Sequence, residues 1–586
     1  MGKTIIQKIF ENHSKQSAVV GEIIDIDIDV RVARDFGGAN VVKNLEENNL
    51  KLDDPDKTYF TFDCNPGGCD QKYATNQHIC RIFARKNNVK IFDISSGIGT
   101  HLVIDEKIAK PGGTIVSTDS HANILGAIGA FGQGMGDKDI AHAFAYGKVW
   151  FKVPPTIKIE LKGRPSNITT PKDVALKLLQ EFGANGLLGF SAEIYGDYVD
   201  MLPLDARITI ASMATEMGGI IILFPFKKAI TADSDADYED AVKVDIEGLK
   251  PMVSLPGHPE DVVSIDELDN VKVDSGFIGS CTNGRISDMR AAAKIMKDRK
   301  IAPGRVLKIV PSTDDVWKKC LEGGLIKIFK DAGALFGSAG CAGCAAGQIG
   351  QTGTGEIAIS SGNRNFVGKQ GKGDTYLASP ETVAASLIAG YITSIDEIPD
   401  KPVSINVPES SHKISHLKKD LKISRLTSVE GKAWVIKKDN IDTDMIFHNR
   451  YLAITDINEM GQYTFDNLEG YENFSKKANP GDIVIAGKNF GAGSSRQQAV
   501  DCFKSLKISV IIAESFGAIY ERNAINSAMP ILIARDITSK VSDGDILSVD
   551  FTTGKIINKT KNTGINVKPF SKSQLDIYKN GGLLKK

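Results

Sequence analysis

Short runs of β-branched residues alternate with longer amphipathic segments along most of the chain. VKIFDI, GTIVST, ARITIAS, VLKIVPS and GEIAISS are runs of the first kind, and DMRAAAKIMKDRK and PETVAASLIAGYI are segments of the second. This alternation is typical of repeated βα units, in which helices cover open parallel or mixed sheets. We therefore predict an α/β fold, and because 586 residues exceed what one hydrophobic core can hold, several domains.

One segment, between 396 and 428, breaks the alternation. It is polar, proline-bearing and lysine-rich and has no apolar period, which is the composition of an interdomain linker. A polar stretch near 163 and an acidic stretch near 256 are weaker candidate seams. The sequence thus predicts three α/β domains, a linker and a smaller last domain, with the ranges 1–160, 161–268, 269–398, 399–428 and 429–586.

The charge balance argues against nucleic acid and anionic lipid as partners. The 71 Lys and Arg residues nearly cancel the 72 Asp and Glu residues, so the chain has no strong overall field. The first residues contain no apolar core of signal-peptide length, and the longest apolar run, GGIIILFPF, is too short to span a bilayer. We expect a cytoplasmic protein that acts on a small molecule and has no membrane partner.

Three cysteines lie in two glycine-containing loops. Cys341 and Cys344 belong to GSAGCAGCAAGQIG, and Cys281 belongs to FIGSCTNGR, which reads as a strand that turns into a helix. Thiolates select soft metals, chiefly iron–sulfur clusters and zinc, and a closed structural site normally has four protein ligands. Three cysteines without a fourth ligand describe a metal centre with one open position. A CxxC pair alone is equally consistent with a turn, a thiol-redox pair or a zinc site.

The segments around these cysteines resemble the aconitase and isopropylmalate dehydratase family. The resemblance runs in order over nearly the whole chain, through STDSHANILGAIGAFGQGMG, IGSCTNGRISDMRAAAKI, GCAGCAAG, SGNRNFVGKQGKG, DNIDTDMIFHNRYL, GKNFGAGSSRQQAV and ESFGAIYERNAINSAMPIL. It implies a three-domain α/β/α portion that binds a cluster, followed by a smaller swivelling domain. It also implies that Cys281, Cys341 and Cys344 hold a 4Fe-4S cluster whose fourth iron binds the substrate.

Adding or removing water beside a carboxylate needs a base, an acid or Lewis acid for the hydroxide, and cations for the carboxylates. The resemblance implies that Ser494 is the base, that Arg496 stabilises it and contacts substrate, and that Ser495 also binds substrate. From the residues alone, Ser494 followed by Gln497 is the pattern of a capping box at a helix start. Such a position would place the hydroxyl at the positive end of the helix dipole.

The acid side of the predicted site contains histidines and acidic residues. The resemblance assigns His101, Asp119 and His121 to this side. It places both histidines, His101 and His121, in Asp–His pairs near the cluster. Asp63 keeps a family position, but Cys64 follows it where the family has a histidine. Glu216 matches a glutamate beside the iron-bound water, although Ser212 departs from an asparagine often found nearby. The alternative for Glu216 is an exposed charge on a helix.

The carboxylate clamp is predicted around two basic residues of SGNRNFVGKQGKG. Arg364 matches an arginine of the family, whose planar fork suits a carboxylate. Lys369 stands where the family usually has a second arginine, so the charge is kept and the fork is lost. Arg450 lies in a specificity loop, where Ala453 follows Tyr-Leu. These departures leave the substituent on the substrate open.

We predict a hydro-lyase that depends on a 4Fe-4S cluster and isomerises a small hydroxy di- or tricarboxylic acid of the isopropylmalate, homoaconitate or aconitate type. An aconitate hydratase acting on citrate and isocitrate is an alternative. No separate small subunit is expected, because a part that resembles it is fused to the chain. The rivals from other classes are a non-catalytic cluster-sensing or binding protein, and a thiol-redox or zinc protein that uses Cys341 and Cys344 alone.

Overall fold

The computed structural model describes residues 2–67, 70–226, 229–344, 349–403, 425–493 and 496–584. The chain forms two compact units, unit 1 over Met1–Val407 and unit 2 over Pro408–Lys586. The predicted α/β class is confirmed in both units. Within the described ranges, every helix is too short or too polar to cross a membrane. The domain ranges given above stay a prediction.

Unit 1 contains eighteen strands and thirteen α-helices in its described residues. The strands are β1 Ile23–Asp27, β2 Val30–Arg34, β3 Thr58–Thr61, β4 Lys90–Phe92, β5 Thr114–Ser117, β6 Phe131–Gly134, β7 Lys148–Lys152, β8 Thr156–Lys162, β9 Ser191–Tyr195, β10 Ile221–Leu223, β11 Asp240–Asp245, β12 Met252–Ser254, β13 Val262–Ser264, β14 Ser275–Ile278, β15 Val306–Ile309, β16 Leu335–Phe336, β17 Ile357–Ser360 and β18 Asp374–Leu377. The helices are α1 Ile5–Asn12, α2 Gly38–Glu47, α3 Gln71–Asn87, α4 Gly99–Asp105, α5 Asp137–Tyr146, α6 Pro171–Phe182, α7 Asp197–Met201, α8 Leu204–Ser212, α9 Ser280–Asn283, α10 Ile286–Met296, α11 Asp314–Glu322, α12 Leu325–Ala332 and α13 Pro380–Ala389.

Three sheets organise unit 1, beside the antiparallel pair of β1 and β7. The first has the order β4-β3-β2-β5-β6 and the second the order β10-β9-β8-β11, and both are entirely parallel. The third has the order β13-β12-β18-β17-β14-β15-β16, with only β12 antiparallel to its neighbours. Strand β2, VRVAR, is buried at every position, as expected for a parallel strand that is covered on both faces.

One predicted strand of unit 1 is wrong. ARITIAS was expected to be a strand, but it belongs to helix α8. The last five residues of α8 are all buried, so the segment is buried on every side and shows no helical period. A short run of this kind does not distinguish a buried helix from a buried strand.

Unit 2 contains one mixed sheet with helices around it. Its strands are β19 Ser428–Ile436, β20 Ile483–Ala486, β21 Val510–Ala513, β22 Ile531–Ile533, β23 Ile546–Asp550, β24 Lys555–Asn558 and β25 Thr563–Asn566. Its α-helices are α14 Thr443–Ile446, α15 Ile457–Met460, α16 Phe474–Lys477, α17 Gln498–Ser505, α18 Ala518–Asn526, α19 Ile537–Lys540 and α20 Lys572–Asn580. The order is β22-β21-β20-β19-β23-β24-β25, parallel from β22 to β19 and antiparallel from β19 to β25.

A tight approach in unit 2 gives a testable consequence for stability. Gly491 has φ +75, and a Cβ there would lie 2.2 Å from the Cγ of the buried Tyr520 ring. Gly481 has φ +98, but open space surrounds the position of its Cβ. Gly481→Ala should therefore cost about 1 kcal/mol through backbone strain alone. Gly491→Ala should cost about 2 kcal/mol more through overpacking. Urea unfolding of both full-length variants measures this difference, and equal midpoints would contradict it.

Candidate active site

Loops that follow four parallel strands of unit 1 carry most of the predicted site residues of that unit. Strands β3 and β5 lead to Asp63 and Asp119, and these strands flank β2 in the first sheet. Strands β14 and β17 lead to Cys281 and Arg364, and these strands are neighbours in the third sheet. Carboxyl ends of parallel strands meet at one edge of a sheet, where α/β folds assemble their sites. The topology thus explains why residues far apart in sequence come together.

Arg34, the last residue of β2, joins the two loops of the first sheet. Its Nε donates to Asp63 Oδ1 at 2.8 Å, and its Nη1 pairs with Asp119 Oδ1 at 3.0 Å. Burial alone would lower the pKa of Arg34, but the carboxylates of Asp119 and Asp63 outweigh it and raise the pKa well above the ordinary value. The sequence reasoning missed Arg34. The only sign of Arg34 in the sequence is that a charged residue ends the short run VRVAR.

The two carboxylates on Arg34 differ in their acidity. Burial raises the pKa of Asp63 to about 6, although Arg34 opposes the change. For Asp119, burial is outweighed by the charges of Arg34 and His121, and the pKa lies below its ordinary value. A pair of carboxyl groups with pKa values pushed apart is the arrangement that separates a proton carrier from a fixed anion. The pKa of Asp63 therefore lies closer to neutral pH, and Asp119 stays ionised.

Cys64 takes the place of the expected histidine. Its Sγ lies 3.6 Å from Asp63 Oδ1, and its backbone N–H donates to Asp35 Oδ1 at 3.0 Å. Burial raises the pKa of the thiol well above its ordinary value. Cys64 is therefore a protonated thiol beside Asp63 near neutral pH.

Glu216 links an imidazole to a guanidinium. Its Oε1 lies 3.1 Å from His121 Nε2 and accepts from Arg364 Nε at 2.6 Å. Burial alone would raise the pKa of Glu216, but His121 and Arg364 together lower it below the ordinary value. Glu216 is buried, so it is not the exposed helix charge considered as its alternative. The expected Asp–His pair differs as well, because Asp119 accepts from the backbone N–H of His121 at 3.0 Å while the ring faces Glu216.

His101 is also placed differently from the expected Asp–His pair. Its Nε2 contacts the carbonyl oxygen of Cys281 at 2.9 Å, and its Nδ1 faces Arg285 Nη1 at 3.5 Å. Burial, helped by the charge of Arg285, lowers the pKa of His101 to about 3. The ring is therefore neutral at pH 7, with Nε2 as the donor. Its contacts make it a support for the Cys281 loop, since Arg285 in turn pairs with Asp105 and Asp205.

The predicted cluster cysteines lie in two packed loops. Cys281 is in the short helix α9, directly after β14, as the sequence predicts. The backbone N–H of Cys341 donates to the carbonyl oxygen of Asp63 at 2.9 Å, which ties its loop to the Arg34 centre. The backbone of Cys344 is in a 3-10 helix over Ala342–Cys344, and its side chain lies outside the described part of the structure.

Several observations test whether these residues fit an iron–sulfur cluster. Cys281 and Cys341 are buried, and neither forms a disulfide. Asn363 lies beside them, with its Oδ1 3.4 Å from Cys281 Sγ. Among the described residues, Asn363 Nδ2 and Arg34 Nη2 are buried donors that have no hydrogen-bond partner. Buried soft ligands together with spare N–H donors suit a group that presents sulfur acceptors, so the residues fit a cluster.

The remaining predicted residues of unit 1 are less closely connected. The Lys369 Nζ lies 6.0 Å from the centre of the Phe366 ring. No contact between its side chain and the other predicted site residues is found in the described ranges. Ser212, which departs from the family's asparagine, is buried, and its hydroxyl donates to Thr282 Oγ1 at 3.1 Å. Ser212 thereby supports the residue that follows Cys281.

Unit 2 carries its own pair of charged residues. The Arg496 side chain is largely buried, donates through Nη2 to Asp444 Oδ2 at 2.5 Å and contacts the carbonyl oxygen of Phe447 at 3.2 Å. This hydrogen bond lowers the pKa of Asp444. Arg450 pairs with Asp466 at 2.9 Å and is half exposed. The sequence reasoning missed Asp444, although the acidic DNIDTD segment is a signal for it.

The predicted serines of unit 2, Ser494 and Ser495, lie outside the described residues. Helix α17 begins at Gln498, and the residue before it is Gln497. The described helix thus starts three residues later than a capping box at Ser494 would place it.

The chain is similar to known proteins over most of its length. Residues 7–232 and 266–390 match the model of the aconitase family (aconitate hydratase), and residues 423–536 match that of the aconitase C-terminal domain. The chain is 30% identical to the mitochondrial homoaconitase of Candida albicans, over 92% of this chain and 87% of that protein. It is 36% identical to the 3-isopropylmalate dehydratase large subunit of Elusimicrobium minutum, over 68% of this chain and 100% of that subunit. A crystal structure of 3-isopropylmalate dehydratase from Methanocaldococcus jannaschii is 37% identical, covers 27% of this chain and 92% of its own, and gives a TM-score of 0.26.

The shared carboxylate of Glu216 generates a prediction about stability. Glu216→Gln leaves the guanidinium of Arg364 without its buried counter-charge, so it should lower the free energy of unfolding by about 3 kcal/mol at pH 7. Asp266→Asn is the control, because it removes one partner of the exposed Lys250–Asp266 pair and should change stability much less. Urea unfolding of both variants measures the two effects.

The same variant has an expected pH dependence. The folded pKa of Glu216 lies below its ordinary value of 4.5. Its contribution to stability is thus fully present above pH 4.5 and is lost as the pH falls through the folded pKa. The difference between wild type and Glu216→Gln should therefore shrink below pH 4.5, and a constant difference would contradict the ionised pair.

Proposed function

The chain belongs to the aconitase family and is a hydro-lyase, and from this membership we propose that it isomerises a small hydroxy acid of the isopropylmalate or homoaconitate type. The observation that carries the proposal is the shared contact of Glu216 Oε1 with Arg364 Nε at 2.6 Å and with His121 Nε2 at 3.1 Å. This shared contact links Arg364, which would bind a carboxylate, to His121, which would transfer a proton. Both are needed to remove hydroxide beside a carboxylate.

Membership in the family implies an iron–sulfur cluster, and we propose the 4Fe-4S type. Cys281, Cys341 and Cys344 would hold it, which agrees with the burial of the Cys281 and Cys341 thiols and with the spare donors of Asn363 and Arg34. When bound, such a cluster supplies a Lewis acid for hydroxyl and carboxylate oxygens at an iron that has no protein ligand.

The side chains of unit 1 have separate proposed roles in the reaction. Arg364 would bind a substrate carboxylate through its planar guanidinium, whose orientation Glu216 fixes. His121 would carry at Nε2 the proton that leaves with the hydroxide, because this ring nitrogen lies 3.1 Å from the carboxylate of Glu216. Asp63, whose pKa is raised to about 6 by burial, can exchange a proton near neutral pH, while Asp119 remains an anion that holds Arg34.

The second half of the reaction is assigned to residues of unit 2. Ser494 is proposed as the base that removes the C–H proton, with Ser495 and Arg496 as substrate contacts. The Asp444 carboxylate that binds both Nη atoms of Arg496 fixes the direction of that guanidinium. Arg450 and Lys369 are proposed as further substrate contacts. These assignments rest on the family resemblance of the segments and on the fit of the C-terminal domain model to 423–536.

The arrangement of matches supports a fused enzyme. The large subunit of the Elusimicrobium relative is covered completely by 68% of this chain, and the C-terminal family model covers residues beyond it. We propose that no separate small subunit is required. The cytoplasmic location and the absence of nucleic-acid and membrane partners stay predictions.

An anaerobic assay against a panel of hydroxy and unsaturated acids tests the function. After reconstitution with iron and sulfide, the protein should be brown and should interconvert an isopropylmalate- or homoaconitate-type acid. Ser494→Ala should keep the cluster absorbance and reduce kcat by about 10² to 10⁴-fold, the usual contribution of a general base. Cys281→Ser should lose both the absorbance and the turnover.

Cys320→Ser is the matched control, because Cys320 is another buried free cysteine of unit 1 and lies in α11, outside the site. It should resemble wild type. Preference for citrate would favour aconitate hydratase instead. Colourless protein that contains zinc, with full activity in Cys281→Ser, would contradict the proposal in favour of a thiol or zinc protein. A gel shift that appears only without cluster would favour the binding alternative.

A further inference from the structure

Lys172 is a lysine in the interior of unit 1 for which the proposed function gives no role. It is the second residue of helix α6, and its exposed fraction is 0%. The start of α6 is fixed by a capping box between Thr170 and Asp173, with Pro171 as the first helical residue. Burial of an ammonium group is costly unless polar groups surround it. The contacts of Lys172 therefore have to compensate the cost of its burial.

The ammonium of Lys172 contacts two functional turns. Its Nζ donates to the carbonyl oxygen of Gly362 at 2.8 Å and lies 3.5 Å from that of Ser361. It also lies 3.8 Å from Met213 Sδ. Gly362 directly precedes Asn363 and Arg364, and Met213 begins the 3-10 helix Met213–Met217 that carries Glu216. One buried cation therefore joins the two turns whose side chains form the Arg364–Glu216 pair.

The peptide between Gly362 and Asn363 transmits this contact. The described peptide bonds are all trans, so the N–H of Asn363 points opposite to the Gly362 carbonyl and away from Lys172. Asn363 is fully buried, and no acceptor for its backbone N–H or its Nδ2 is found among the described residues. A cation on the carbonyl both orients this peptide and makes its N–H a stronger donor.

We propose that Lys172 is a positioning residue that acts through the Gly362–Asn363 peptide. Its ammonium holds the turn so that Arg364 meets substrate in one orientation, and it polarises the buried N–H of Asn363 beside Cys281. The inference rests on the proposed function, because a bound cluster would supply the acceptors for these donors. Hydrogen bonds to cluster sulfurs and nearby positive charge favour the reduced cluster.

The test compares Lys172→Met, which removes charge and donor at similar length, with Lys172→Gln, which keeps a neutral donor. Both are measured as reconstituted full-length holoenzyme. The midpoint potential of the cluster, followed by EPR, should move to lower values in Lys172→Met and less in Lys172→Gln. The KM should rise about tenfold in Lys172→Met, the loss expected for one charge-assisted hydrogen bond. The change in kcat should be smaller than the change in KM.

Lys8→Met is the matched control, because Lys8 Nζ also donates to a main-chain carbonyl, that of Thr231, at 2.8 Å. It lies on the surface and should change neither the potential nor the KM. An unchanged potential and KM in Lys172→Met would overturn the proposal, as would a loss of kcat alone. If neither Lys172 variant folds to the wild-type circular dichroism spectrum, Lys172 is structural and the proposal is likewise overturned. A wild-type protein that contains neither iron nor sulfide would instead overturn the proposed function.

Discussion

The candidate site of unit 1 depends on the buried guanidinium of Arg34. A cation in the protein interior is stable only with close counter-charges, and Arg34 has Asp63 at 2.8 Å and Asp119 at 3.0 Å. These two residues follow strands on either side of β2, so the ion pairs fix two loops relative to each other. The Asp63 carbonyl then accepts from the backbone of Cys341. A single charge thus connects the acid-side loops to a proposed cluster loop.

The local environment, rather than the residue type, sets the different pKa values of Asp63 and Asp119. Asp63 and Asp119 share one cation, yet burial raises the pKa of Asp63 while the charges around Asp119 lower its pKa. Each carboxyl accepts from one backbone N–H, Asp63 from Gly99 and Asp119 from His121. Asp119 also lies near the charge of His121, whereas Asp63 lies near the negative charge of Asp35. The two carboxyl groups are buried alike, and the difference between their neighbouring charges is therefore sufficient to raise the pKa of one and lower the pKa of the other.

Local patterns were sufficient to predict much of this molecule, and long-range pairing explains most of what they missed. The turn from strand β14 into the helix of Cys281 was predicted, because an apolar run and a glycine-bounded turn are adjacent in sequence. Arg34 was missed because its partners are 29 and 85 residues away. The partner of His101 was wrong for the same reason, since a carbonyl 180 residues away occupies its Nε2. The prediction of a strand at ARITIAS was wrong because a segment that is buried on every side shows no hydrophobic period that would identify it as a helix.

The departure at Cys64 changes which group at this position can exchange a proton. Burial raises the pKa of the Cys64 thiol well above its ordinary value, so the sulfur keeps its proton. The adjacent Asp63 has a pKa of about 6 and lies 3.6 Å from the thiol. Of these two adjacent groups, the Asp63 carboxyl is therefore the one whose pKa lies closer to neutral pH, and burial and Arg34 together set that pKa.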